Sequence, residues 1–232
     1  MIIIAHQCGE DKYPRITPDA ALYSIENGAD YAEFDIRHLA DMGLAVSHDD
    51  NCRDLFGSDD VIRHMTTEQF KALKRKDAPG YGALLLENML DAGVKKILFH
   101  IKEGGEVLTK ILECCRKYGI EKDILVGIQE LSDIKLVKNF NPEIKILCFV
   151  PNGWVIDDYL ASDADVIRIW QQWMNQDLID RIHKSGKACY VMVNGKRCGY
   201  CEDDVLTNIK ESGCDGVLTN FVLQAKRIFE TK

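Results

Sequence analysis

The strongest constraint on this chain is an alternation. Short β-rich runs and helical stretches follow one another from the first residues to the last. The β runs are residues 2–6, 31–36, 44–48, 97–102, 124–128, 145–150, 166–170, 188–193 and 216–219. Helical patterns occupy 17–27, 66–76, 107–118, 176–184 and 203–211. Thr17-Pro18 is a start signal, a cap followed by proline at the first turn, and Gly28, Gly119, Gly186 and Gly213 are stop signals. Repeated strand–helix units build a parallel sheet covered by helices.

A closed (β/α)8 barrel offers eight strand places. Nine candidates mean that one is not a strand or lies outside the ring. Between Asp35 and His48 there is no room for a covering helix, so the expected barrel is irregular there. An open doubly wound sheet is the alternative. It usually carries a glycine-rich phosphate loop after its first strand, and His6-Gln7-Cys8-Gly9-Glu10-Asp11 is a poor one. With 232 residues, no internal repeat and no Pro/Gly linker, the chain reads as one α/β domain over residues 1–232.

Composition narrows the function. Lys and Arg number 29 against 37 Asp and Glu, a formal net charge of −8, and no basic stripe suited to nucleic acid stands out. An anionic ligand must therefore be met by local cations or a metal. No stretch approaches the roughly 20 apolar residues of a membrane span. The opening Met1–His6 run is too short for a signal-peptide core. Nine cysteines, most inside apolar runs, read as small buried hydrophobes in a reducing compartment, so the expected location is cytoplasmic.

Polar residues gather at the ends of the β runs. His6 closes the first. Glu33 and Asp35 lie two apart and project to one face. His48 and Asp49 close the third run, and His100 and Lys102 share a face of the fourth. In a barrel, inward side chains at the C-terminal strand ends build the active site. Two carboxylates on one face repel unless a cation lies between them, and a divalent metal is the economical solution, oxygen ligands suiting Mg²⁺, Ca²⁺ or Mn²⁺.

These residues stand in an arrangement that resembles the glycerophosphodiester phosphodiesterase family, whose fold is a distorted TIM barrel shared with phosphatidylinositol-specific phospholipases C. The family opens with H-R-G, then P-E-N-T, G-A-D-x-x-E-x-D-V and V-V-x-H-D. Here stand His6-Gln7-Cys8, Pro14-Arg15-Ile16-Thr17, Gly28-Ala29-Asp30-Tyr31-Ala32-Glu33-Phe34-Asp35-Ile36 and Ala45-Val46-Ser47-His48-Asp49. Phe99-His100-Ile101-Lys102 falls where the family has I-E-I-K. Near the end, Val191-Met192-Val193-Asn194 resembles W-T-V-N, and Gly213-Cys214-Asp215-Gly216-Val217-Leu218-Thr219-Asn220 resembles G-V-D-G-I-I-T-D.

The resemblance implies metal-dependent hydrolysis of a glycerophosphodiester, within glycerol and lipid metabolism. It implies His6 and His48 as general acid and base, Glu33 and Asp35 as metal ligands, and Lys102 as a cation beside the phosphate. Three positions depart from the pattern. Gln7 replaces the H-R-G arginine, Arg15 and Ile16 replace a carboxylate and an amide, and His100 stands in the third ligand place. A histidine there moves the expected metal from Mg²⁺ or Ca²⁺ towards Mn²⁺ or Zn²⁺. Arg15 is a candidate replacement for the lost phosphate cation.

Arg168, Trp170 and Gln172 alternate onto one face of a late strand and join Gln7, Arg15 and Lys102 as candidate substrate contacts. Cys198 and Cys201 form a lone C-x-x-C, a weak zinc or redox signal. His38, His64 and His183 read as surface or helix residues. Two other readings stay open: a barrel that binds a phosphorylated ligand without turnover, and a barrel enzyme using Glu33, Asp35 and His100 on another substrate.

Overall fold

The structure is a computed structural model that describes residues 1–231. Its strands are β1 (Ile2–Ala5), β2 (Tyr31–His38), β3 (Leu44–Val46), β4 (Ile97–Ile101), β5 (Ile124–Ile128), β6 (Lys145–Phe149), β7 (Val166–Trp170), β8 (Ala188–Met192) and β9 (Gly216–Thr219). Eight of them are parallel and ordered β1-β9-β8-β7-β6-β5-β4-β2. A β1–β2 pairing, Ile4 beside Tyr31 and Ala5 beside Ala32, closes the ring. That closure excludes the open sheet.

The ninth strand is β3. It pairs antiparallel with β2 outside the ring, Ile36 opposite Val46 and His38 opposite Leu44. The chain turns through residues 39–43, where Met42 adopts φ 62° and Leu39 N–H donates to the Gly43 carbonyl. This hairpin occupies the place where the sequence leaves no room for a helix. It also brings the chain back, so that Ser47 N–H donates to the Asp35 carbonyl at 3.1 Å. His48 follows at once. The expected strand 44–48 thus ends at Val46, because its pairing runs out where β2 enters the barrel.

The helix Pro18–Glu26 begins as its sequence predicts. Thr17 Oγ1 accepts from Ala20 N–H, and Pro18 sits in the first turn. The predicted helix 66–76 is shorter, Thr67–Lys71, closed at its start by a reciprocal box between Thr66 and Gln69. Beyond it the chain packs back as loop on a small cluster of Leu39, Ala45, Cys52, Ile62, Met65 and Phe70. Helices Glu106–Lys117, Gln176–Lys184 and Asp203–Glu211 match expectation. Helices Leu86–Asp91, Ser132–Phe140, Ile156–Leu160 and Val222–Glu230 complete the outer layer. The main core lies between this layer and the strands.

Strand alternation sorts the interior. Ile4, Leu98, Leu125, Leu147, Val166, Tyr190 and Leu218 form an apolar floor. Two residues further along the same strands or just past them stand His6, His100, Gly127, Phe149, Arg168, Met192 and Asn220. The period of two therefore carries the strands from an apolar floor to a mouth at the C-terminal end of the barrel, where His6, His100, Arg168 and Asn220 are polar and Phe149 and Met192 are not. Among the described residues, no helix is long and apolar enough to cross a membrane. All nine cysteines are free; six are buried, and Cys114, Cys198 and Cys201 are half-buried.

Candidate active site

Glu33 and Asp35 project inward from β2, and His100 stands in register opposite Asp35 on β4. One donor atom from each of the three lies within 4.8 Å of the others. His100 Nδ1 is 2.9 Å from Asp35 Oδ1 and 3.7 Å from Glu33 Oε1. Lys102 Nζ reaches the same Asp35 oxygen at 3.0 Å. Neither approach has the direction of a hydrogen bond, so Asp35 Oδ1 is a buried oxygen without a hydrogen-bond partner. An orphaned carboxylate oxygen in a set of two carboxylates and an imidazole fits a divalent metal.

The electrostatics agree with that fit. Burial, and then the charge of Asp35, push the Glu33 carboxyl well above the usual range. Burial also opposes ionisation of Asp35, but His100 and Lys102 outweigh it and hold Asp35 ionised. Burial lowers His100 to about 4 despite Asp35, so its ring is neutral at neutral pH, the form that ligates. The ring is held flat against Phe149, centroids 3.7 Å apart and planes 11° apart. Gly127 makes this possible: a Cβ there would overlap the Phe149 ring. The Gln129 amide meets His100 Nε2 at 3.2 Å, and its two ends can serve either tautomer.

His6 lies in a tight turn, His6–Cys8, just past β1. Gln7 and Cys8 take positive φ, 49° and 71°. The turn aims Gln7 N–H at Glu33 Oε2, 2.8 Å away. His6 Nδ1 is 2.6 Å from Asn220 Oδ1. Asn220 Nδ2 donates in turn to Glu10 Oε2 at 3.2 Å, which sets which end of the amide faces His6. His6 Nδ1 therefore carries the proton, leaving Nε2 as acceptor. Burial lowers His6 to about 4, with Asn220 and Asp35 opposing. His48 stands across the mouth, exposed, its Nδ1 2.8 Å from Asp49 Oδ1. Arg37 holds its backbone carbonyl, Nη2 to O 2.9 Å.

His6, Glu33, His48, His100, Lys102, Arg168 and Trp170 line one cavity of about 170 Å³, with Asp35 behind His100 and Lys102. Gln7 and Arg15 line a smaller cleft that meets the first at His48. Arg15 spends its donors on Gln7 Oε1 at 2.8 Å and Asp54 Oδ2 at 2.5 Å. Gln172 leaves the shared face, because β7 ends at Trp170 and a short turn sends the amide to the Asn194 carbonyl, 3.2 Å away. His38 pairs with Glu103 and His183 with Asp215, while His64 is exposed.

A profile of the glycerophosphoryl diester phosphodiesterase family matches residues 6–156, well over half of the chain, a span that includes Glu33, Asp35, His48 and His100. The chain belongs to this family. Membership makes it a phosphoric diester hydrolase. A glycerophosphodiester phosphodiesterase of Caldanaerobacter subterraneus subsp. tengcongensis is 23% identical over 94% of this chain and 93% of its own. The glycerophosphodiester phosphodiesterase structure from Agrobacterium tumefaciens superposes with TM-score 0.81 at 19% identity, covering 100% of both chains. A phosphodiesterase of Oleispira antarctica, solved with its product sn-glycerol-3-phosphate, gives TM-score 0.79 at 15% identity over 100% of this chain and 97% of its own. At these identities the structures show the shared fold.

The sequence reading missed Asn220, Glu10 and Gln129. Asn220 was legible only as part of the final family-like stretch. The Cys198–Cys201 segment also acquires a structural role. Gly199 packs against the His6–Asn220 pair so closely that a Cβ would overlap the Asn220 amide and come within 2.8 Å of His6 Nδ1. Asn220 N–H donates to the Gly199 carbonyl, and Tyr200 Oη donates to Glu10.

Proposed function

We propose that this phosphodiesterase hydrolyses a glycerophosphodiester, or a similar small alkyl phosphodiester, to an alcohol and glycerol phosphate. The observation that carries the reading is the convergence of His6, His48, Glu33, His100 and Lys102 on one cavity, with Asp35 directly behind His100 and Lys102. Glu33, Asp35 and His100 would hold a divalent metal. When bound, it supplies positive charge that stabilises the phosphoryl oxygens. The nitrogen donor favours Mn²⁺ or Zn²⁺ over the Mg²⁺ or Ca²⁺ suited to an all-oxygen set.

The chain's own groups divide the remaining work. Neutral His6 accepts a proton at Nε2 from the attacking glycerol hydroxyl, while Asn220 holds the opposite nitrogen. The hydroxyl oxygen closes a cyclic phosphate as the bond to the alcohol oxygen breaks, and water then opens the cycle to glycerol phosphate. His48, steadied by Asp49, returns a proton to the departing oxygen. Lys102 meets the phosphate, and Gln7, Arg15, Arg168 and Trp170 make up the substrate side. Without a metal, burial and the charge of Asp35 favour the protonated Glu33, so Asp35 alone is set against Lys102 and Arg168. A bound divalent ion would hold both carboxylates ionised and still leave an excess of positive charge to match the dianionic transition state.

The test is hydrolysis of a panel of glycerophosphodiesters by the chelator-treated protein, with each metal restored in turn. Turnover that returns with metal supports the reading. Phosphate binding without turnover under every metal would instead make the chain a binding barrel.

A further inference from the structure

We propose that Arg168, not an arginine of the first loop, is the second cation of the phosphoryl subsite, and that it grips the anion opposite Lys102. The inference rests on the phosphodiesterase reading of the cavity and adds the group that replaces the charge absent at Gln7.

Arg168 is only 5% exposed, yet its Nε and Nη1 are buried without a hydrogen-bond partner. Burying a guanidinium without acceptors is costly, so the donors call for a ligand that supplies them. Among the described residues, no carboxylate pairs with it. Its neighbours are aromatic: the guanidinium carbon lies 4.2 Å from the Trp170 ring centroid and 5.0 Å from that of Phe149. Two faces hold the plane without satisfying any N–H, which leaves the edge free. The side chain lines the same cavity as Lys102, His6 and His48.

The other arginines at this end are committed. Arg15 is bound to Gln7 and Asp54. Arg37 holds the His48 carbonyl and Glu103. Arg75 is spent on Asp77 and on the carbonyls of Arg15 and Ile16. Arg168 stays a cation at neutral pH, since burial lowers it only to about 10. β7 and β4 are separated by β5 and β6, so Arg168 and Lys102 approach from different sides of the barrel. A phosphodiester monoanion between them would offer two non-bridging oxygens, the acceptor pair that a guanidinium edge matches.

The experiment compares the wild-type chain with R168M and R168K. It measures sn-glycerol 3-phosphate binding by calorimetry, and KM and kcat on the best diester of the panel. R168M should weaken product binding and raise KM about 10- to 100-fold. R168K, which keeps the charge but loses the fork, should fall between. R168K also decides the matter if R168M fails to fold. An active wild type with unchanged KM and product binding in R168K and R168M overturns the proposal and leaves the phosphodiesterase reading intact. A wild type that binds glycerol phosphate through Arg168 but hydrolyses no diester overturns that reading and leaves this one.

Discussion

His6 Nδ1 and Asn220 Oδ1 lie 2.6 Å apart although 214 positions separate them in the chain. They meet at the seam where β1 pairs with β9, Ala5 beside Thr219. Each residue follows the paired end of its strand, so barrel closure itself builds the contact. Asn220→Ala should remove the group that fixes the His6 tautomer and lower kcat at least about tenfold. Asn220→Asp places a carboxylate against the ring and raises the His6 pKa. Asp35, His48 and His100 also act on that ring and are unchanged in the variant. The acid limb of kcat/KM should then move to higher pH. A pH profile that is superimposable on wild type in Asn220→Asp would show that Asn220 does not act through His6.

His6→Ala and His48→Ala should each depress turnover about 10²- to 10⁴-fold, the usual effect of removing a positioned acid or base. His48 is exposed, so its variant should melt with wild type. Steady-state kinetics with a thermal melt on each variant checks both points. Full activity in both would remove these histidines from the mechanism.

His100→Glu turns the imidazole donor into a carboxylate. Metal preference should shift from Mn²⁺ or Zn²⁺ towards Mg²⁺. Calorimetric titration of the two proteins with all three ions reads the shift without recourse to activity. Equal Mg²⁺ affinity in both would mean that Glu33 and Asp35 bind metal without His100.

The metal-free protein should lose stability as pH falls from about 6.5 to about 4. Burial holds His6 and His100 near 4, below their ordinary value of 6.5. Across that window the unfolded chain holds two more protons at these histidines, while the folded chain holds one more at Glu33, which burial raises; the histidines prevail, so stability rises with pH and falls on acidification. Each histidine contributes up to about 3 kcal/mol. Melting temperatures at pH 7 and pH 5 in chelator should differ, and His6→Gln should narrow the gap. A flat profile in the wild type would contradict the burial of neutral imidazoles.

Gly127→Ala should displace Phe149 from the His100 ring, because the new methyl would occupy the ring's position. Overpacking of this kind costs about 1–3 kcal/mol. The melt should show it, and metal affinity should fall with it as His100 loses its support. Unaltered metal binding in a destabilised variant would limit Phe149 to packing.

The order of elements and the facing of Glu33 with Asp35, or of His100 with Lys102, are local consequences of strand periodicity. They were legible because a period of two needs only neighbouring residues. The excess ninth strand was legible as a count, but which run lay outside was not. That depended on β3 pairing antiparallel with β2, a choice made by contacts beyond the run itself. Helix 66–76 read too long because its pattern carried no information about the loop that packs on Phe70. Arg15 and Arg168 look alike in sequence. Only the fold commits the first to Gln7 and Asp54 and leaves the second buried without acceptors. Local spacing thus determined which side chains could share a face. Ring closure decided which faces met, because a barrel joins strands from opposite ends of the chain and desolvates whatever they carry.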